Sequence, residues 1–390
     1  MATRPFLEQE KREAPLDVAR CMILARKRFG KSLFSQISEM AKLSMGAGKL
    51  RPEEYYYYGL YDDSRYSYSQ KARFLGKTAQ DRIHTTCNDL AWWAIAHDKL
   101  VFYATMAGLG FRTPRIFAVY HPARDFHAAP GLASAEALAA FLRDGMRYPF
   151  FSKPVCGMYS VGVASVEAYD GESDSLVLGG GDKVPVAGFV EAIAPFFDQG
   201  YLFQERLAPA PEVARLSGAG MSTVRVMVLT VGDEMEIYRV VWKIPANGNV
   251  ADNFWRQGNM LGAIDPETGR IKQVVRGVGP ERELVETHPD SGAPLAGRPI
   301  PTWETIRALT LTAARAFPGL TIQAWDVALT DAGPMLLELN IGGDFNLPQI
   351  ASGAGLMDER LRALIARSRA RNRRIKANAR AGRAGAAKAP

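Results

Sequence analysis

The chain has 390 residues, of which 47% are hydrophobic and 23% charged, with a formal net charge of +7. That length allows two or three domains, and the composition excludes a disordered, collagenous or disulfide-stapled chain. The basic excess is local: ten Lys and Arg residues and no acid lie from Arg362 onward, so the preceding chain is mildly acidic.

No run of 18 apolar residues occurs, so no transmembrane helix is expected. Val18 to Ala25 is broken by Arg20 and followed by Arg26, Lys27 and Arg28, which does not read as a signal peptide. A cytoplasmic location is the expectation. Cys21, Cys87 and Cys156 are scattered without paired spacing. His84 and Cys87 have no second Cys/His pair to complete a zinc site, so they read as structural.

In chain order, residues 1–97 read as a helical N-terminal region. Asp17 to Met45 carries apolar residues at helical spacing up to Gly46. Pro52, Glu53 and Glu54 suit a first helical turn. The run Tyr55 to Tyr58 reads as packing between helices. Ala79 to Ala96 is a further helix with Trp92 and Trp93 toward the core.

A second unit is expected over 98–200. Asp98 to Gly110 is a helix that begins with Lys99 and is closed by glycines, and Thr113 to Tyr120 is a strand. Ser134 caps a short helix. Tyr148 to Pro154 is a strand presenting Lys153, followed by a loop with Gly157 and Gly162. A lysine beside small residues that admit backbone N–H groups can cradle phosphate, although this order is not that of a Walker loop. Gly179 to Asp182 reads as a hairpin turn, and Phe189 to Phe197 as a helix.

A third unit is expected over 201–361. Tyr201 to Leu207 is a strand that runs into Pro209 and Pro211. Ser222 to Thr230 and Glu236 to Ile244 form a hairpin around Gly232 and Asp233, carrying Arg225 and Lys243. A further hairpin turns at Asp265 to Gly269. Pro301 to Phe317 is a helix with Thr302 as cap. Ile322 to Thr330 and Met335 to Asn340 flank a turn of Asp, Ala, Gly and Pro. Residues 362–390 read as a basic, solvated and disordered tail.

That last hairpin places Asp326 opposite Glu338, with Asn340 two residues on and on the same face. Opposed carboxylates repel, so the arrangement is sensible when a cation lies between them. Two carboxylates and an amide suit Mg²⁺. On this stretch alone, solvent-facing acids on an edge hairpin are an equal reading.

The ordered set of Lys99, Lys153, Gln204-Glu205-x-Leu207, Arg225, Asp326 and Glu338-x-Asn340 resembles the ATP-grasp superfamily over about Asp98 to Ile350. More narrowly it resembles the sugar-transfer-associated ATP-grasp group related to alpha-L-glutamate ligases. The resemblance implies an α+β ATP-grasp fold, two subdomains gripping ATP, behind the helical N-terminal region. It implies that Lys99 and Lys153 contact ATP phosphates, with Lys243 a further nucleotide contact. Gln204, Glu205 and Leu207 would line the adenine pocket, and Glu212 would hold the ribose. Arg225, with Lys153, would stabilise the transferred phosphoryl group. Asp326, Glu338 and Asn340 would hold one or two Mg²⁺ ions. Met158 and Tyr159 stand in the glycine loop where the superfamily has small residues.

The implied activity is an ATP- and Mg²⁺-dependent carboxylate–amine ligase working through an acylphosphate, with a sugar or cell-surface polysaccharide precursor as a candidate acceptor. Small-molecule acids and amines are the expected partners, and no specific nucleic acid. The acceptor would meet loops containing Asn253, Arg256 and Gly343 to Asn346. The alternatives are a phosphotransferase on the same fold and a non-catalytic nucleotide-binding protein.

Overall fold

The computed structural model describes Leu7 and residues 16–126, 129–157, 161–249, 252–255, 257–341 and 344–386, with side chains to residue 378 in the last helix. Five helices come first: α1 (Val18–Phe29), α2 (Leu33–Met45), α3 (Pro52–Tyr57), α4 (Tyr68–Lys71) and α5 (Lys77–Cys87). The single helix expected from Asp17 to Met45 is therefore two. Gly30 takes φ 70°, which favours glycine and ends α1, and Ser32 caps α2 by accepting from the Ser35 N–H.

Two short steps, α6 (Ala94–His97) and α7 (Lys99–Gly108), lead into the first sheet. Its strands are β1 (Ile116–Tyr120), β2 (Gly131–Leu132), β3 (Phe150–Pro154), β4 (Ala164–Asp170), β5 (Ser175–Leu178), β6 (Lys183–Pro185) and β7 (Tyr201–Glu205), with α8 (Ala135–Ala140) and α9 (Val186–Ile193) between them. Their spatial order is β2-β1-β7-β3-β4-β5-β6. Because β7 lies inside this sheet, paired with β1 and β3, the break between the two sheets falls after Glu205 and not at residue 200. Ser134 caps α8 as expected, accepting from Ala137 N–H.

After α10 (Pro211–Ser217) comes the second sheet. It contains β8 (Thr223–Val231), β9 (Glu234–Ile244), β10 (Met260–Ile264), β11 (Ile271–Arg276), β12 (Glu283–Leu284), β13 (Ile322–Thr330) and β14 (Gly333–Asn340), in the order β12-β11-β10-β9-β8-β13-β14. The helices α11 (Trp303–Ala314), α12 (Asn346–Ser352) and α13 (Glu359–Ala386) complete the chain. Thr302 does not cap α11: it takes φ 57° and its hydroxyl turns to the Pro301 carbonyl.

Strand alternation gives the second sheet two apolar faces. Val224, Val226, Trp242, Trp325, Val327 and Leu336 pack with α7, α11 and part of the first sheet. On the opposite face, Met227, Leu229, Tyr238, Ile322 and Ala324 meet α5 and α13. Beside them Val241, Leu261, Ala263 and Val275 meet the N-terminal helices and α12. Tyr55, Tyr56, Tyr57 and Tyr58 are all buried in that layer.

Of the tail 362–390 expected to be disordered, residues 362–386 are instead part of α13, and 387–390 lie outside the described residues. Leu361, Leu364 and Ile365 recur at helical spacing and are buried there. Arg371 Nη2 donates to the Cys87 carbonyl at 3.0 Å and Asn372 Nδ2 to the Thr86 carbonyl at 2.9 Å.

The N-terminal region also fixes the β13–β14 hairpin from below. Asn88 Nδ2 donates to the Ile322 carbonyl at 2.8 Å and its Oδ1 accepts from the Ile322 N–H at 2.9 Å. A longer bond of 3.3 Å reaches the Ile341 carbonyl. Asn88→Ala strands buried backbone groups of β13, so it should cost about 2 kcal/mol of stability. A urea titration reads this; a midpoint equal to wild type would show that the hairpin is held by other contacts.

Candidate active site

Four adjacent strands of the second sheet carry a diagonal row of charge. Lys243 on β9 pairs in register with Thr223 on β8, Arg225 on β8 with Asp326 on β13, and Asp326 with Glu338 on β14. Arg225, Asp326 and Lys243 share the parity of Met227, Ala324 and Val241, so they stand on the face that the N-terminal helices cover.

Arg225 grips Asp326 with two parallel bonds, Nε to Oδ1 at 2.7 Å and Nη2 to Oδ2 at 2.8 Å. Lys243 Nζ adds a third at 3.0 Å. Arg225 is 9% exposed and Asp326 3%. Burial alone would raise the Asp326 carboxyl, but Arg225 and Lys243 hold it well below the usual carboxylate range. Burial pulls Arg225 down and Asp326 more than reverses that. The positive charge that the opposed carboxylates require is thus supplied by this chain.

Two carboxylates that the sequence did not name individually complete the cluster, although Asp344 lies within the expected acceptor loop Gly343 to Asn346. Asp252, in the loop after β9, accepts from the Thr223 hydroxyl at 2.5 Å and lies 3.6 Å from Lys243 Nζ. Asp344 follows the β14 strand. Burial raises both carboxyls, with Lys243 opposing at Asp252 and Arg225 at Asp344. Neither sits in a periodic segment, so only their acidity marked them.

Glu338 is the open member. Its side chain is 35% exposed and its Oε1 is 3.9 Å from Arg225 Nη2. Asn340 Nδ2 donates to that same oxygen at 3.2 Å, so its amide oxygen is not used in that bond. The Glu338 carboxylate also acts on two lysines from the first half of the chain.

Lys153 projects from β3, alternating with the buried Phe150, Ser152 and Pro154. Its Nζ donates to the Tyr103 hydroxyl at 2.8 Å, and that hydroxyl donates to Gln204 Oε1 at 3.4 Å. Lys99, at the start of α7, donates to the Gly157 carbonyl at 3.0 Å. Burial lowers both ammonium groups, Lys153 to about 8, while the Glu338 carboxylate opposes.

Glu205 spends its carboxylate on the Arg115 N–H at 3.0 Å, and Leu207 follows β7 half-buried. Glu212 is not brought to the cluster: it opens α10 and lines a separate cavity of about 170 Å³ with Leu329, Thr330 and Pro334, at the turn end of the hairpin. Met158, Tyr159, Arg256 and Gly343 lie outside the described residues.

For Mg²⁺, the donor chemistry fits at Glu338 and Asn340, a partly exposed carboxylate and an amide oxygen two residues apart. Asp326 joins them in space but has both oxygens occupied by cations. Among the described residues no group of three or more His, Cys, Asp or Glu is placed to hold a metal ion. No described helix is long and apolar enough to cross a membrane.

Two sheets, the first carrying Lys153 and the second a carboxylate hairpin, form an ATP-grasp protein. More narrowly, the chain belongs to the sugar-transfer associated ATP-grasp family, matched over residues 79–364. Among solved structures it is similar to D-alanine–D-alanine ligase from Helicobacter pylori, at 12% identity over 72% of this chain and 63% of that one, TM-score 0.39. The Bacillus anthracis D-alanine–D-alanine ligase gives 15% identity over 79% of each chain, TM-score 0.40. L-amino acid ligase from Bacillus licheniformis gives 12% identity over 70% of this chain and 48% of that one, TM-score 0.37. The chain therefore spans less than two thirds of the Helicobacter pylori and Bacillus licheniformis enzymes. No curated protein sequence matches it.

Proposed function

We propose that the chain is an ATP-dependent ligase that activates a carboxylate and joins it to an amine. The observation that carries this reading is Glu338, a third exposed, with Arg225 Nη2 at 3.9 Å and its carboxylate acting on both Lys99 and Lys153. A polyphosphate bound there would meet cations from both halves of the chain, which phosphoryl transfer requires more than covalent help. Glu338 and Asn340, with Asp326 behind them, would hold Mg²⁺. When bound, the ion neutralises phosphate charge and orients the phosphoryl group.

In this reading a substrate carboxylate oxygen attacks the γ-phosphorus as the bond to the ADP oxygen breaks, giving an acylphosphate. Lys153 and Arg225 stabilise the charge on the transferred oxygens. An amine then attacks the acyl carbon, phosphate leaves with the bonding pair, and the amine loses a proton. Gln204 and Glu205 at the end of β7, with Leu207 just after it, would meet the base.

A sugar-bearing acceptor is supported by the loop that carries Asp252. Beyond it Phe254 and Trp255 open onto a cavity of about 410 Å³ with Asn247, Gln257, Arg276 and Glu281 on its walls. Aromatic surface beside amide and charged groups suits a ring with one apolar face and an edge of hydroxyls.

The test is ADP release with paired acids and amines. A ligase gives ADP and free phosphate in equal amounts with a coupled product. A stable phosphorylated product without free phosphate would replace this reading by a phosphotransferase. ADP formation with no pair would count against both.

The low Lys153 value adds a pH signature. In the free protein this lysine loses its proton as the pH rises through about 8. Phosphate oxygens favour the charged form and raise that value in the complex. Nucleotide binding near that pH should take up part of a proton, and affinity should weaken at higher pH. Calorimetry in two buffers of different ionisation heat reads the uptake. Lys153→Met should remove it; unchanged uptake in that variant would assign the proton elsewhere.

A further inference from the structure

The first two helices present apolar side chains to solvent. Phe34, Ile37, Ala41 and Met45 recur at spacings that form one stripe along α2. Phe34 is 83% exposed, Ile37 54% and Met45 72%, while the opposite side of the helix buries Gln36 and Leu43. Phe29 and Leu33 stand open at the corner between α1 and α2, and Ile23 is 62% exposed on α1. Side chains of this size are ordinarily scattered singly on a surface; here they are concentrated on two consecutive helices.

The exposed charge carried by the two helices themselves has one sign, although the exposed Asp63 meets Lys31 at the corner between them. Arg26, Lys27 and Arg28 fill the last turn of α1, immediately before the open corner, and Lys42 flanks the α2 stripe. Among the described residues Arg26, Lys27 and Lys42 make no ion pair. Glu39, the only acid in either helix, is turned inward to Lys31 at 2.6 Å and Lys71 at 2.9 Å. The far part of α13 repeats the composition, with Ile375 57% exposed among Arg373, Arg374 and Lys376.

A second copy of the same face would set cations against cations. A surface that is apolar beneath and anionic above satisfies both features. We infer that the α1–α2 face docks on an anionic lipid surface. Phe34, Ile37 and Met45 enter the boundary between headgroups and acyl chains, and Arg26, Lys27 and Lys42 meet headgroup phosphates. This docking is independent of the chemistry at Glu338.

Co-sedimentation of the full chain with phosphatidylglycerol–phosphatidylcholine vesicles, against phosphatidylcholine alone, tests it. The wild type should pellet with the anionic vesicles only, and less at high salt. Combined Phe34→Ser, Ile37→Ser and Met45→Ser should lower the partition by about tenfold or more. Combined Arg26→Glu, Lys27→Glu and Lys42→Glu should abolish it while leaving the circular dichroism melt in place. No pelleting of the wild type, equal pelleting with neutral vesicles, or equal pelleting of the serine variant would overturn the inference. So would a wild-type dimer in sedimentation equilibrium that the serine variant dissolves, which would make this face a contact between copies.

Discussion

Asp326→Ala should cost about 3–5 kcal/mol of stability, the range for removing one partner of a buried ion pair. Asp326 is 3% exposed, and its two oxygens accept both Arg225 bonds and the Lys243 bond. Without them the nearest counter-charge to the Arg225 guanidinium among the described residues is Glu338 Oε1 at 3.9 Å, with Asp344 also acting on it. Lys243 keeps Asp252 at 3.6 Å, so the loss falls mainly on Arg225. Tryptophan fluorescence, to which the buried Trp325 beside Asp326 contributes, follows the unfolding in urea. The control is the double variant Arg225→Met with Asp326→Leu, which removes both charges and should recover more than half of the loss. A single variant within about 1 kcal/mol of wild type would show that solvent reaches the pair. The same depressed carboxyl makes its contribution fully present above the unfolded value of about 3.9, and lost as pH falls through the lower folded value.

Glu338→Gln should leave stability nearly unchanged and remove ATP turnover by about 10²–10³-fold, the scale for deleting one preorganised electrostatic group. The side chain is a third exposed, and glutamine keeps its shape and its contact to Asn340. What it loses is the charge that acts on Arg225 and the two lysines. ADP release and calorimetric nucleotide affinity, each with and without Mg²⁺, separate the outcomes. Turnover and Mg²⁺ dependence equal to wild type would remove Glu338 from the metal site and the proposed reaction with it.

The contrast between these two acids shows where sequence reasoning reaches and where it stops. The hairpin that opposes them was legible, because two runs rich in branched and aliphatic residues around an Asp-Ala-Gly-Pro turn are local signals. The division of labour was not. Arg225 and Asp326 are 101 residues apart, and only the register of β8 against β13 makes the arginine rather than a metal the first partner of Asp326. Lys243 could be named as a cation near the site, but its bond to Asp326 rests on the same long-range pairing. Asp252 and Asp344 come from irregular segments, where no period predicts direction. The last helix misled in the other way: its charge reads as solvated tail, yet Leu361, Leu364 and Ile365 suffice to dock it. Thr302 had the right residue type for a cap, but its φ of 57° turns the hydroxyl away from the helix.

The tyrosine layer has a consequence for how the protein divides. The family match begins at residue 79, inside α5 and after all four tyrosines. A chain started there would bare Val241, Leu261, Ala263 and Val275 along one side of the second sheet. It would also lose the Leu75 backbone groups that the buried Gln349 side chain holds at 2.8 and 2.9 Å. The smallest piece able to fold is therefore longer at its front than the stretch kinship defines, and trimming to the conserved outline should yield aggregates.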